Sequence, residues 1–254
     1  MKKSFLNSNT ALIMEMVQVP TVQLAKEKIK TAICGGATAI GVQLGFMDKA
    51  DRTEENIRAI FECAQDKLIY VTNYRDRKNQ GLSDEHLMEE ILTTIDYGAT
   101  LVDVMGDAFC PAPEELTTDK SAIEKQMRFI ERVHEKGGEV LMSSHVKEFR
   151  PAERVLEMAL EQQRRGADVV KIVTGAENQE EQIKNLEICN LLKKELKVPF
   201  LFLSSGTTYS RLHRTIGPAL GVCMWLCFSK YDKYCYSGPP LLEDVIKIKQ
   251  GLKL

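Results

Sequence analysis

A short apolar run followed by a longer amphipathic segment recurs eight times along the 254 residues, and no other feature limits the fold so severely. The runs are 11–18 (ALIMEMVQ), 37–44 (ATAIGVQL), 67–72 (KLIYVT), 100–104 (TLVDV), 139–143 (EVLMS), 168–173 (DVVKIV), 198–203 (VPFLFL) and 219–226 (ALGVCMWL). Between them, segments such as 83–97, 121–136, 151–165 and 179–195 repeat apolar residues at intervals of three and four, the period of a helix with one buried face. Pro151 stands near the start of one such segment and Gly137 after the end of another, where helix boundaries favour them. Connections of this length hold a helix and are too long for a hairpin, so consecutive strands pair in parallel. Eight units predict a closed (β/α)8 TIM barrel over residues 1–254 as a single domain, and about 250 residues is the usual size of that fold. An open doubly wound sheet is the alternative. It is disfavoured because no G-x-G-x-x-G follows the first run and no linker-like stretch divides the chain.

Composition narrows the functional classes. With 44% apolar and 28% charged residues the chain can bury a large core, which excludes disordered and collagen-like readings. Lys plus Arg number 34 against 36 Asp plus Glu, a net charge of -2 without a basic block, so no nucleic-acid partner is expected. The longest apolar stretch, 219–228, is too short to span a bilayer, and the start MKKSFLNSNT passes into polar residues rather than the apolar centre of a signal peptide. Seven cysteines, an odd number scattered among apolar neighbours, give no disulfide framework. A reduced, cytoplasmic protein without a membrane partner is expected, and a homodimer stays open. No metal motif occurs: the four histidines are far apart, and Cys223 and Cys227 lie in an apolar run without a second pair. No cofactor is called for.

Function in a barrel sits at the carboxyl ends of the strands. The third run ends in Thr72-Asn73-Tyr74-Arg75, the fifth in Ser143-Ser144-His145, and the seventh passes into Ser204-Ser205-Gly206 with Arg211 shortly beyond. Lys171 is the least expected residue, because Val169, Val170, Ile172 and Val173 flank it. A desolvated ammonium loses its proton more readily, and the neutral amine can condense with a carbonyl. The other reading of Lys171 is a lysine paired with an interior carboxylate. His145 would share its rim and could move protons at the carbon beside an imine, although a lone histidine there can equally serve as a hydrogen-bonding group. Arg75 and Arg211 offer planar forks for a carboxylate or phosphate, with surface ion pairs as the alternative. His86, His134 and His213 fall in helical segments and are expected to face solvent.

Five segments, taken together, resemble a known family: Gly36-Ala37, Ser144-His145 with Pro151 six residues beyond the histidine, Gly166-Ala167-Asp168-Val169-Val170-Lys171-Ile172, Val198-Pro199 and Ser210-Arg211. In this order, over nearly the whole chain, they are similar to the type I 3-dehydroquinate dehydratases. The resemblance implies a (β/α)8 barrel in which Lys171 forms an imine with a substrate ketone, His145 is the general acid/base for loss of water in shikimate or quinate metabolism, and Arg75 and Arg211 bind substrate.

The departures from that family lie where the substrate would be held. Gly41, Gln43 and Gly45 stand where the family carries Glu, Arg and Asp, Asn79 where it carries Glu, Lys147 where it carries an aromatic residue, and Ser205 where it carries Met. Its lid motif Pro-Gly-Gln reads Ser237-Gly238-Pro239, and the loop before Arg211 is two residues shorter. Gln43, Asn79, Ser205 and Lys147 therefore join the arginines as candidate substrate contacts. Groups for imine formation remain while those for ring hydroxyls change, which should redirect recognition. Three functions stay open: a dehydratase of this type on a cyclic keto acid, a Schiff-base lyase or aldolase on an unrelated ketone, and a catalytically silent metabolite-binding barrel.

Overall fold

The computed structural model describes residues 4–8, 10–206, 208–236 and 238–253, without the side chain of Thr208; Ser237 of the expected lid lies outside the described residues. Eight strands run Leu12–Val17 (β1), Ala39–Gln43 (β2), Leu68–Thr72 (β3), Leu101–Met105 (β4), Glu139–His145 (β5), Val169–Ala176 (β6), Phe200–Gly206 (β7) and Met224–Cys227 (β8). They pair in parallel in the order β7-β6-β5-β4-β3-β2-β1-β8. The Cys223 N–H donates to the Phe200 carbonyl at 2.9 Å, drawing the start of β8 against β7, so the sheet forms a nearly closed (β/α)8 barrel.

Eight helices cover it: Val22–Cys34 (α1), Glu54–Glu62 (α2), Asp84–Asp96 (α3), Lys120–Glu135 (α4), Ala152–Arg164 (α5), Gln179–Glu195 (α6), Thr208–Ile216 (α7) and Leu242–Leu252 (α8). Thr21, Thr53, Ser83, Asp119 and Asn178 begin five of them, each side chain accepting a backbone N–H of the first turn. Gly137 and Gly166, at φ 80° and 101°, end α4 and α5 in the left-handed conformation that reverses the chain into the next strand. The expected strand 219–226 starts late. Residues 217–220 instead form a 3-10 turn, broken by Gly221 at φ 109°.

Alternation along each strand separates two apolar layers. Ile13, Val17, Ile40, Val42, Val102 and Val104 pack outward under helices. Met14, Met16, Ala39, Tyr70, Leu101, Leu141, Leu201 and Met224 fill the interior. A Cβ on Gly41 would stand 2.5 Å from the Met16 sulfur, so the missing side chain is replaced by two methionines rather than by open space. One expectation fails here. His213 is fully buried: α7 turns Ser210, His213 and Arg214 inward together, and Nε2 of His213 lies 2.9 Å from the Phe202 carbonyl. Burial depresses this imidazole to about 4. His86 and His134 are exposed, the latter 2.7 Å from Asp168. No helix among the described residues is long and apolar enough to cross a membrane.

Candidate active site

At the carboxyl ends of the strands a cavity of about 680 Å³ opens, the size of a small-molecule site. Lys171 projects into it from β6 and is 4% exposed. Its Nζ lies 2.6 Å from the Tyr74 hydroxyl, 3.3 Å from Asp103 Oδ2 and 3.5 Å from the Tyr70 hydroxyl. Asp103, an inward residue of β4, is itself buried and accepts from Tyr70, from Tyr74 at 2.6 Å and from Ser143 at 2.5 Å. The interior carboxylate that the bare sequence left as an alternative partner for Lys171 is therefore present, and the lysine also faces the cavity. Burial pulls the ammonium below its ordinary value and the Asp103 charge opposes this; the net shift is downward, toward a neutral amine.

His145 ends β5 beside β6, where Ser143 pairs with Lys171 and His145 with Val173. The histidine's partner is Glu115, from the loop between β4 and α4. One carboxylate oxygen takes both the His145 backbone N–H at 2.9 Å and Nδ1 at 2.8 Å. Burial raises this carboxyl, but the hydrogen bond and charge of His145 outweigh it and the net shift is down. With Nδ1 donating to Glu115, Nε2 is the nitrogen left for the cavity. The loop reaches this position because Gly106 has no side chain: a Cβ there would lie 2.5 Å from the Glu115 carbonyl oxygen. Tyr74 stands between the two groups, its ring edge-on to His145 with centroids 5.2 Å apart.

The other expected contacts divide. Gln43, Ser205 and the exposed Lys147 line the cavity; Gln43 Oε1 accepts from Gln18 at 2.6 Å, and the Ser205 hydroxyl donates to the Thr174 carbonyl at 3.2 Å. Arg75 also lines it, but its fork is occupied: Asp84 takes Nε and Nη2 at 2.7 Å each, and Asp107 takes Nη1 at 2.7 Å. Two expected contacts lie outside the cavity lining. Arg211 lies on the exposed side of α7, its guanidinium 5.5 Å from the Tyr231 ring centre, and Arg214, 6% exposed, lines the cavity instead. Its Nε donates to the Ser204 carbonyl at 3.0 Å, while Nη1 is buried without a hydrogen-bond partner among the described residues. Asn79 is wholly buried outside the cavity and fastens a loop, donating to the Tyr74 carbonyl at 2.6 Å and Asn73 Oδ1 at 2.8 Å and accepting from Arg52 at 2.7 Å.

Tyr74 falls in a strand end that the sequence marks, whereas Asp103, Glu115 and Arg214 are not among the residues it points to. Asp103 carries the same signal as Lys171, a charge inside an apolar strand run, and Arg214 falls on the inward stripe of α7. Glu115 has no comparable signal.

The model of the type I 3-dehydroquinase family matches residues 14–229. The chain belongs to this family. Solved structures agree on the fold: 3-dehydroquinate dehydratase from Geobacillus kaustophilus superposes with a TM-score of 0.80 at 15% identity, covering 98% of this chain and 93% of that one. Type I 3-dehydroquinate dehydratase from Clostridium difficile, described with covalently modified comenic acid, gives 0.81 at 15% identity over 97% and 94%. The enzyme from Enterococcus faecalis gives 0.77 at 15% identity over 97% and 95%. No curated protein matches the chain. Family and fold together support a 3-dehydroquinate dehydratase-like lyase.

Proposed function

We propose that this family member is a hydro-lyase that joins Lys171 to a cyclic keto acid as an imine and eliminates water from it, with recognition shifted away from the ring hydroxyls of 3-dehydroquinate. The observation that carries the reading is the buried Lys171 amine at the wall of a cavity that also holds His145, itself gripped by Glu115. The imine is an electron sink: a proton leaves the carbon beside it to His145, the resulting enamine expels the β-hydroxyl, and His145 returns the proton to the departing oxygen. Arg214 is a buried cation on the cavity wall that can take the substrate carboxylate. The altered specificity is supported by Gly41, whose surroundings are filled by methionine, and by Asn79, which is spent on a loop.

A second reading, a silent barrel, is favoured by the Lys171–Asp103 pair. The comenic acid named with the Clostridium difficile enzyme suggests a probe for both. Incubation with 3-dehydroquinate, with comenic acid and with simpler cyclic keto acids in the presence of borohydride, followed by intact mass, should yield an adduct on Lys171 that is lost in Lys171→Ala. Absence of an adduct with every compound would favour the silent barrel. Product analysis separates dehydration, which creates a conjugated enone, from aldolase-type cleavage into two fragments.

A further inference from the structure

We infer that the Tyr74 phenol is a catalytic group of this chain, relaying protons between Lys171 Nζ and the substrate's carbonyl oxygen while the imine forms. This rests on the reading of Lys171 as the imine-forming residue.

Four observations lead to it. Tyr74 makes the shortest contact of Nζ, 2.6 Å against 3.3 Å for Asp103 and 3.5 Å for Tyr70. Its hydroxyl is also 2.6 Å from Asp103 Oδ2, so the phenol can accept from nitrogen while donating its own hydrogen. Of the three groups touching Nζ, Tyr74 lines the cavity, whereas Tyr70 and Asp103 lie beneath it. Its position is also held from behind: Asn79 grips the Tyr74 backbone carbonyl at 2.6 Å and is in turn held by Arg52. The residue that would have been a substrate contact instead fixes the strand end that carries the phenol.

The chemistry needs such a group. The Nζ lone pair forms the N–C bond as the carbonyl π bond breaks, and the oxygen takes a proton. The C–O bond then breaks, and the oxygen leaves as water with a second proton while C=N forms. Starting from the ammonium, both protons of that water originate on Nζ and the third stays on the iminium nitrogen, so no co-reactant is consumed. Direct transfer from nitrogen to oxygen passes through a strained four-membered arrangement. A phenol beside both atoms accepts from one as it donates to the other. Burial, followed by the charge of Asp103, raises the Tyr74 hydroxyl well above its ordinary value, so it remains a neutral two-way carrier. Asp103 then balances the iminium charge through the same hydroxyl.

The probe is 2,4-pentanedione, which condenses with a reactive lysine to an enaminone absorbing in the near ultraviolet, with one water lost. Wild-type protein should form the adduct on Lys171, and Lys171→Ala should not. In Tyr74→Phe the plateau rate at high pH should fall about 10²- to 10⁴-fold, the range of a general acid/base, while the final mass and amplitude are unchanged. Tyr70→Phe removes a phenol from the same carboxylate outside the cavity and should retain most of the rate. Tyr74→Phe reacting within threefold of wild type, or showing only a displaced pH midpoint with the same plateau, would overturn the relay and leave Lys171 standing. No adduct on wild type would overturn Lys171 and the relay with it. Should Tyr74→Phe not fold, the wild-type plateau rate in heavy water decides: it should drop, and an unchanged rate overturns the relay.

Discussion

Replacing Asp103 by Asn removes one negative charge from the barrel interior and changes almost nothing in shape. Asp103 and Lys171 have side chains 0% and 6% exposed, so neither charge is relieved by water. With its amide oxygen in the place of Oδ2 the asparagine still accepts from Tyr70 and Tyr74, and its NH2 faces Ser143, whose hydroxyl can turn to accept, which confines the loss mainly to the charge. Breaking a buried pair by removing one partner costs about 3–5 kcal/mol, because the other ion is left uncompensated. At about 2–4 °C per kcal/mol for a chain of this size, the midpoint should drop by roughly 6–20 °C. The pH dependence has a definite sign. Burial depresses the folded pKa of Lys171, so the penalty for ionising it is absent above the ordinary lysine value of 10.5, grows as the pH falls below that value, and is complete below the folded pKa. The gap between wild type and Asp103→Asn should therefore be larger at about pH 7 than at about pH 10. Urea unfolding followed by circular dichroism measures both, and Asp103→Asn combined with Lys171→Met should recover about 0.5–3 kcal/mol relative to additivity. Single losses that simply add, or an Asp103→Asn variant within about 1 kcal/mol of wild type, would refute the buried-pair reasoning.

Glu115→Gln should leave adduct formation on Lys171 intact while turnover on the preferred keto acid falls by up to about 10²-fold, with Glu115→Asp partly restoring it; steady-state kinetics beside borohydride trapping checks this. Gly175→Ala would put a Cβ 2.1 Å from the Lys147 carbonyl oxygen, pushing away the loop that follows His145, and should cost at least about 1–3 kcal/mol in chemical denaturation. Glu15 is fully buried, its Oε1 has no hydrogen-bond partner among the described residues, and burial raises it from 4.5 to about 7. Its carboxyl is protonated in both states below 4.5 and must ionise in the folded state only above about 7, so Glu15→Gln should gain stability over wild type by roughly 3 kcal/mol as the pH rises through that window. An efficiency on 3-dehydroquinate below about 10⁴ M⁻¹s⁻¹, and higher on a less hydroxylated keto acid, is expected from competitive steady-state assays.

The barrel was legible because its determinants are local and periodic. Alternating runs, capped helices and connections too long for hairpins recur unit by unit, and each can be recognised without knowing what packs against it. Lys171 was legible for a related reason: a charge among valines conflicts with its own strand, and such a conflict marks a site from a few residues of context. Asp103 sits in the same kind of conflict, yet its meaning depends on facing Lys171 across the barrel, 68 residues later.

Rotation and loop path could not be read so directly. Arg211 and Arg214 are three residues apart, and which of them reaches the cavity depends on how α7 is turned against the sheet; Ser210, His213 and Arg214 form the buried stripe, and all three are polar enough for solvent. Arg75 was correctly located at a strand end, but whether its fork is free was decided by Asp84 and Asp107, which reach it from α3 and the β4–α4 loop. Glu115 gains its role only because that loop folds back over Gly106 to His145, a path set by a close backbone contact rather than by any periodic pattern. The sequence by itself determined the order of strands and helices and the lysine buried within the sixth strand, since those follow from short-range preferences of the chain. Which carboxylate holds the histidine, which arginine faces the cavity and which phenol meets the amine were decided only by the tertiary structure, because each depends on the relative placement of segments far apart in the chain.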